Sequence, residues 1–180
     1  MNSLGIIVLS DLNRSRSYDF HNATGLYSLN VIQGITSALA DTDYSVIIEY
    51  LHEPDSRDGM PKLIRNRRID GAFIVGGFCE DGFISRLKET GIPFVIVSVG
   101  SRSAACDTVF SDPAQGAYIS VKHLLQTGHT HIGFINCPAS FRSSTLRVQG
   151  VERVFGEAGA AISPECIMYT EHNNGASGYE

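Results

Sequence analysis

The chain has 180 residues, with 14 lysines and arginines against 19 aspartates and glutamates, a formal charge of −5 at pH 7. Hydrophobic residues at 43% and charged residues at 18% exclude the disordered class, and the acidic balance argues against a basic nucleic-acid footprint on the chain itself. No apolar run approaches the roughly 20 residues that span a bilayer, and the first apolar stretch lacks the basic flank and cleavage site of a signal peptide.

The elements alternate along the chain. Residues 4–10 form a short apolar, β-branched run, and residues 44–51, 72–75 and 93–99 form three more. All are apolar at consecutive rather than alternate positions, the pattern of parallel strands covered on both faces. Amphipathic segments fill the gaps. Residues 26–41 place Leu29, Val31, Ile32, Ile35, Ala38 and Leu39 at helical spacing, and helices are expected over 57–67 and 81–90, the latter closed by Gly91. This βαβ rhythm predicts an α/β fold, an open parallel sheet with helices on both faces.

Residues 108–111 are then expected to be extended and to lead into a helix with Asp112 at the N-cap and Pro113 at the first helical position. Ala117, Val121, Leu124 and Leu125 make its apolar face, and Gly128 closes it. A second series follows: a strand over 131–137, a helix over 143–158 with Val151, Val154, Phe155 and Ala158 inward, and a final apolar piece over 167–170. The series stops after about one and a half units.

Most chemical motifs are absent. Neither G-x-G-x-x-G nor G-x-x-x-x-G-K-[ST] follows the first strand, so no nucleotide cofactor is expected. No G-x-S-x-G occurs, and the pairs Asp11/Asp19 and Glu80/Asp81 read as solvated surface, so an enzyme is the least favoured class. His123, His129 and His131 match no metal-site spacing, and His129 reads as a helix-terminal residue meeting the last carbonyls. The four cysteines, at 79, 106, 137 and 166, form no C-x-x-C pair and read as free thiols in the cytoplasm.

Geometry supplies the positive signal. In an open parallel sheet, ligands bind outside the carboxyl ends of the strands, here the segments after Ser10, Leu51, Val75, Val97 and Cys137. The first and last are polar loops with embedded aromatics: Tyr18 and Phe20, with Tyr27 beyond them, and Phe141. Aromatic faces beside hydrogen-bonding groups suit a sugar-like or other small polar ligand.

Several stretches carry a family resemblance: VIQGITSAL around Gly34, RRIDGAFIV at 67–75, TGIPFVIV at 90–97, FSDPAQGAYISVKHLLQTGHTHIGFI at 110–135 and RVQGVERVF at 147–155. Over residues 4–170 the chain resembles the lactose/galactose-repressor family of bacterial transcription regulators. The resemblance implies an effector domain with the type I periplasmic-binding-protein fold, built of two lobes with the second incomplete. It places the first lobe at 1–113, and the crossover helix and partial second lobe at 114–180. The family's N-terminal helix-turn-helix module has no counterpart upstream of Leu4. It further implies a cytoplasmic, homodimeric repressor that binds a sugar or related polar metabolite between the lobes and so controls operator DNA binding allosterically.

Residue by residue, Arg147 resembles the family's effector-binding arginine, whose fork reaches two ligand oxygens at once. Phe141 and Ser143 match loop positions lining the same pocket. Tyr27 falls near the first-lobe aromatic that closes it, and Phe110 at a pocket-wall position. Ser98 stands at the end of the fourth strand, where many members place an aspartate or other polar residue, a departure that weakens transfer of any particular sugar. Asp112 is explained by its capping role. The alternative is an exported sugar-binding protein that serves a transporter, which shares the fold.

Overall fold

The structure is a computed structural model and describes residues 2–10, 23–52, 59–76, 81–97, 106–172 and 175–179. It divides into two compact units, Met1–Phe110 and Ser111–Glu180, and the expected boundary at 113/114 lies just inside the second.

In the first unit, strands β1 (Ser3–Ser10), β2 (Ser45–His52), β3 (Gly71–Val75), β4 (Phe94–Val97) and β5 (Thr108–Val109) form one sheet in the order β2-β1-β3-β4-β5. Every pairing is parallel. β1 lies between β2 and β3, with Ile6 opposite both Ile48 and Phe73. Its residues alternate between two separate cores. Ile7 and Leu9 join Ala72, Ile74 and Ile96 on one face, against Leu63 and Ile64 of helix α2 (Lys62–Arg65) and Phe83, Ile84 and Leu87 of α3 (Asp81–Glu89). Ile6, Val8 and Val75 face the other way, against Val31, Ile32 and Ile35 of α1 (Ala23–Leu39). β1 is therefore buried on both sides, which its unbroken apolar run requires. Each of these aliphatic side chains contributes roughly 1.5–3 kcal/mol on burial.

Strand order explains the helix placement. The chain steps outward from β1 to β2, then reverses past β1 to β3 and β4. A right-handed crossover in one direction puts its helix on one face, and in the opposite direction on the other. Hence α1 sits alone, and α2 and α3 share the far face. The reversal makes the ends of β1 and β3 the topological switch point of the sheet. Gly76, just past β3, has φ of +80°, and a Cβ there would come within 2.9 Å of the Leu9 carbonyl oxygen.

The second unit contains α4 (Pro113–Gln126), β6 (Phe134–Asn136), α5 (Arg142–Glu157), a short 3-10 turn (Pro164–Cys166), β7 (Ile167–Tyr169) and α6 (Gly175–Tyr179). β6 and β7 pair in parallel, so β6-α5-β7 is a second βαβ unit. Its core is Val121, Val151 and Val154, packed with Leu125, Ile132 and Phe134. Asp112 caps α4 by accepting from the Gln115 amide at 3.0 Å, with Pro113 in the first turn, and Gly128 ends it at φ +89°. His129 Nδ1 lies 3.1 Å from the Leu124 carbonyl oxygen and 3.0 Å from the Thr127 hydroxyl, the helix-terminal role expected of it.

Some expected boundaries differ. The strand expected over 131–137 is limited to Phe134–Asn136, because its ladder extends only as far as the three residues of β7. The helix expected over 57–67 is ordered as α2 only at Lys62–Arg65, with 53–58 outside the described residues. Leu29, Ala38 and Ala158, expected to face inward, are exposed.

Candidate functional site

The carboxyl end of β6 gathers a group of polar side chains through hydrogen bonds spanning the strand, the following loop and the start of α5. Asn136, the last residue of β6, is buried. Its Nδ2 donates to the Ser144 carbonyl at 3.0 Å, and its Oδ1 accepts from the Cys137 amide at 3.1 Å. Its own carbonyl accepts from the Thr170 amide at 2.9 Å and from the Thr170 hydroxyl at 3.2 Å. Ser144, also buried, returns its hydroxyl to the Cys137 carbonyl at 3.0 Å. A single side-chain amide thus ties the loop between β6 and α5 at both ends.

Three expected site residues sit on this loop and helix. Phe141 is the N-cap residue of α5, half-buried, with its amide donating to the Pro138 carbonyl at 3.0 Å. Ser143 and Arg147 lie four residues apart in α5, on one face of the helix. Arg147 is half-buried, and its Nη1 donates to Cys137 Sγ at 3.2 Å. The same sulfur lies 3.9 Å from Ser143 Oγ. Among the described residues no carboxylate pairs with Arg147, and this bond to sulfur is its one side-chain hydrogen bond. A guanidinium carries five N–H donors and a fixed charge. Half-buried and bonded to one sulfur, Arg147 has N–H donors beyond that bond. Asn136, Ser144 and Cys137 were not among the residues expected from the sequence. The signal available for them was their position at the end of a strand that leads into a helix N-terminus.

The remaining expected residues belong to the first unit. Tyr27 lies on α1 and is 38% exposed, so packing in the core does not account for it. Phe110 follows β5 and is 55% exposed. Ser98 lies outside the described residues. A groove of about 640 Å3 in the first unit is lined by Leu4, Gly71, Phe73, Pro93 and Val95 at the amino ends of the strands. That is the opposite end from the one where parallel sheets bind ligands. Among the described residues no group of three or more histidine, cysteine, aspartate or glutamate side chains could hold a metal ion, and no helix is long and apolar enough to cross a membrane.

A parallel sheet with a switch point, followed by a second βαβ unit whose strand end holds Arg147 without a carboxylate partner among the described residues, defines an open α/β architecture of two units. The chain matches the model of the family described as periplasmic binding proteins and sugar binding domain of LacI family over residues 4–177. It belongs to that family. It is 31% identical over 108 residues to the HTH-type transcriptional repressor PurR of Aliivibrio fischeri, a match covering 59% of this chain and 32% of that protein. With the PurR repressor of Aliivibrio salmonicida it shares 24% identity over 167 residues, 92% of this chain and 47% of the relative. The chain thus spans less than half the length of these curated relatives.

Among solved structures, a Burkholderia thailandensis protein provisionally named a ribose operon repressor superposes with a TM-score of 0.71 at 25% identity, covering 93% of this chain and 60% of that one. The Escherichia coli transcriptional repressor ascG superposes with a TM-score of 0.74 at 16% identity over 94% of this chain and 59% of that one, a likeness of fold. The type I periplasmic-binding-protein architecture expected from the sequence is the one observed.

Proposed function

We propose that this chain is the effector-sensing part of a transcriptional repressor, and that it takes a small oxygen-rich ligand of the sugar class at the carboxyl end of β6. One observation carries the reading: Arg147, half-buried, has no carboxylate partner among the described residues and meets the same sulfur as Ser143, on the helix that Phe141 begins. A guanidinium and a hydroxyl at one sulfur suit the oxygen atoms of a sugar, and the half-buried Phe141 at the start of the same helix is the aromatic residue that would face its apolar side. Family membership supports the ligand class. The curated relatives are repressors, which favours a regulator over an exported solute-binding protein or an enzyme.

In this reading the units Met1–Phe110 and Ser111–Glu180 are the first lobe and the start of the second. Tyr27, Ser98 and Phe110 are the first lobe's ligand residues. The complete protein is a cytoplasmic homodimer that passes the ligand's effect to an operator-binding module. The ligand acts by binding one of two arrangements more tightly than the other.

The test is thermal unfolding of the complete protein with a panel of pentoses, hexoses and nucleosides that includes D-ribose. A ligand at 100 times its dissociation constant stabilises the folded state by about 2.7 kcal/mol. Arg147→Ala is expected to abolish that increment and leave the ligand-free midpoint nearly unchanged. Equal stabilisation of wild type and Arg147→Ala by the same sugar would overturn the assignment.

A further inference from the structure

We propose that Cys137 is a positioning residue for Arg147, its sulfur holding the guanidinium in a fixed orientation while leaving its charge unneutralised. The inference rests on the reading of Arg147 as the ligand-binding arginine and names what tunes it.

The thiol is itself rigidly placed. Cys137 is 8% exposed, its amide donates to Asn136 Oδ1 at 3.1 Å, and its carbonyl accepts from the Ser144 hydroxyl at 3.0 Å. With the backbone held on both sides and the side chain buried, Sγ has little freedom. It meets Arg147 Nη1 at 3.2 Å and Ser143 Oγ at 3.9 Å, so one atom touches both polar side chains of the site.

The chemistry of the contact explains why sulfur suits this place. A carboxylate at 137 would pair with the guanidinium and compete with any ligand oxygen. An alkyl side chain would accept nothing and leave a long, rotamer-rich arginine to be ordered by the ligand itself, a cost subtracted from affinity. A thiol is a weak acceptor. It fixes one N–H, and the other donors of the fork stay available. The residue at 137 therefore sets how strongly the arginine engages a ligand.

The first measurement needs no ligand. In 15N spectra of the full chain, with the Arg147 guanidinium assigned through Arg147→Lys, hindered rotation should give resolved Nη signals for Arg147 in wild type and in Cys137→Ser. The signals should merge in Cys137→Ala, or in Cys137→Val where the alanine variant does not fold. Resolved signals that persist without an acceptor at 137 would overturn the proposal. The second measurement is D-ribose affinity: Cys137→Ala and Cys137→Asp should each lose about tenfold, and Cys137→Ser little. In an Arg147→Lys background Cys137→Ala should cost nothing further, because the residue acts through the arginine. An undiminished loss there also overturns it. Failure of wild type to bind D-ribose would count against D-ribose as the ligand alone, and the spectra would still decide the role of Cys137.

Discussion

Gly150 of α5 lies directly against the backbone of Ala114 in α4: a Cβ built on Gly150 would overlap the Ala114 carbonyl oxygen. Two helices approach this closely only where one carries no side chain at the crossing. The buried neighbours Val151 and Val154 then reach Val121 across the same interface. This contact helps fix the angle of α5, and so the place where Arg147 emerges.

Adding a methyl group at this point is therefore expected to be costly. Gly150→Ala should lose about 1–3 kcal/mol through overpacking, despite the better helix propensity of alanine. A Cβ added at Gly156, on the same helix, would meet open space, so Gly156→Ala should gain about 0.5–1 kcal/mol. Urea denaturation of both variants checks the pair, and a gain in stability for Gly150→Ala would contradict the close packing.

A second expectation concerns Glu49, in the middle of β2. Its Oε1 accepts from the Lys62 amide at 2.8 Å and its Oε2 from the Leu63 amide at 2.9 Å. Pro61, the local N-cap residue of α2, makes no side-chain cap, so a strand carboxylate takes the capping role. Glu49→Ala should cost about 1 kcal/mol, the usual value of a lost N-cap. Glu49→Gln, with one acceptor oxygen in place of two, should fall between. Amide exchange at Leu63 is the local readout: faster exchange in Glu49→Ala is expected, and unchanged protection would count against the cap.

The third expectation is a pH dependence at the outer side of the α4–α5 pair. The Tyr118 hydroxyl donates to Glu157 Oε2 at 2.7 Å, Lys122 Nζ donates to the same hydroxyl at 2.7 Å, and Arg153 Nε donates to Glu157 Oε1 at 3.1 Å. Arg153 and Lys122 also stack over the Tyr118 ring, at 4.4 and 4.9 Å from its centre. The bond from Tyr118, joined by Arg153, holds the Glu157 carboxyl below its ordinary value of 4.5. The bond to Tyr118 lifts Lys122 above 10.5. A lowered carboxyl contributes stability that is present above its ordinary pKa and disappears as pH falls through the folded value. A raised amine contributes below its ordinary pKa and loses its contribution as pH climbs through the folded value. The advantage of wild type over Tyr118→Phe should therefore be full near neutrality and shrink in acid. Denaturation midpoints at about pH 7 and about pH 3 test it, and a constant difference would remove Tyr118 from the linkage.

The relation between sequence and structure differs from element to element. The consecutive apolar run Ile6–Leu9 declares a strand buried on both faces, and residues 6 to 9 are indeed divided between two cores. Asp112, Pro113 and Gly128 mark the ends of α4 by local chemistry alone, because a capping oxygen, a locked φ and a left-handed glycine act within four residues. Family resemblance singled out Arg147, Ser143 and Phe141; the structure brings Arg147 and Ser143 to one sulfur and puts Phe141 at the start of their helix. Other relationships were not legible. Nothing in the local pattern says that Glu49 caps α2, that Gly150 meets Ala114, or that the sulfur of Cys137 receives Arg147. Each joins residues 10 or more apart in the chain, and each depends on the angle and register at which two elements pack. Periodicity and capping determined which segments are strands and helices; the packing of those segments decided which polar atoms meet.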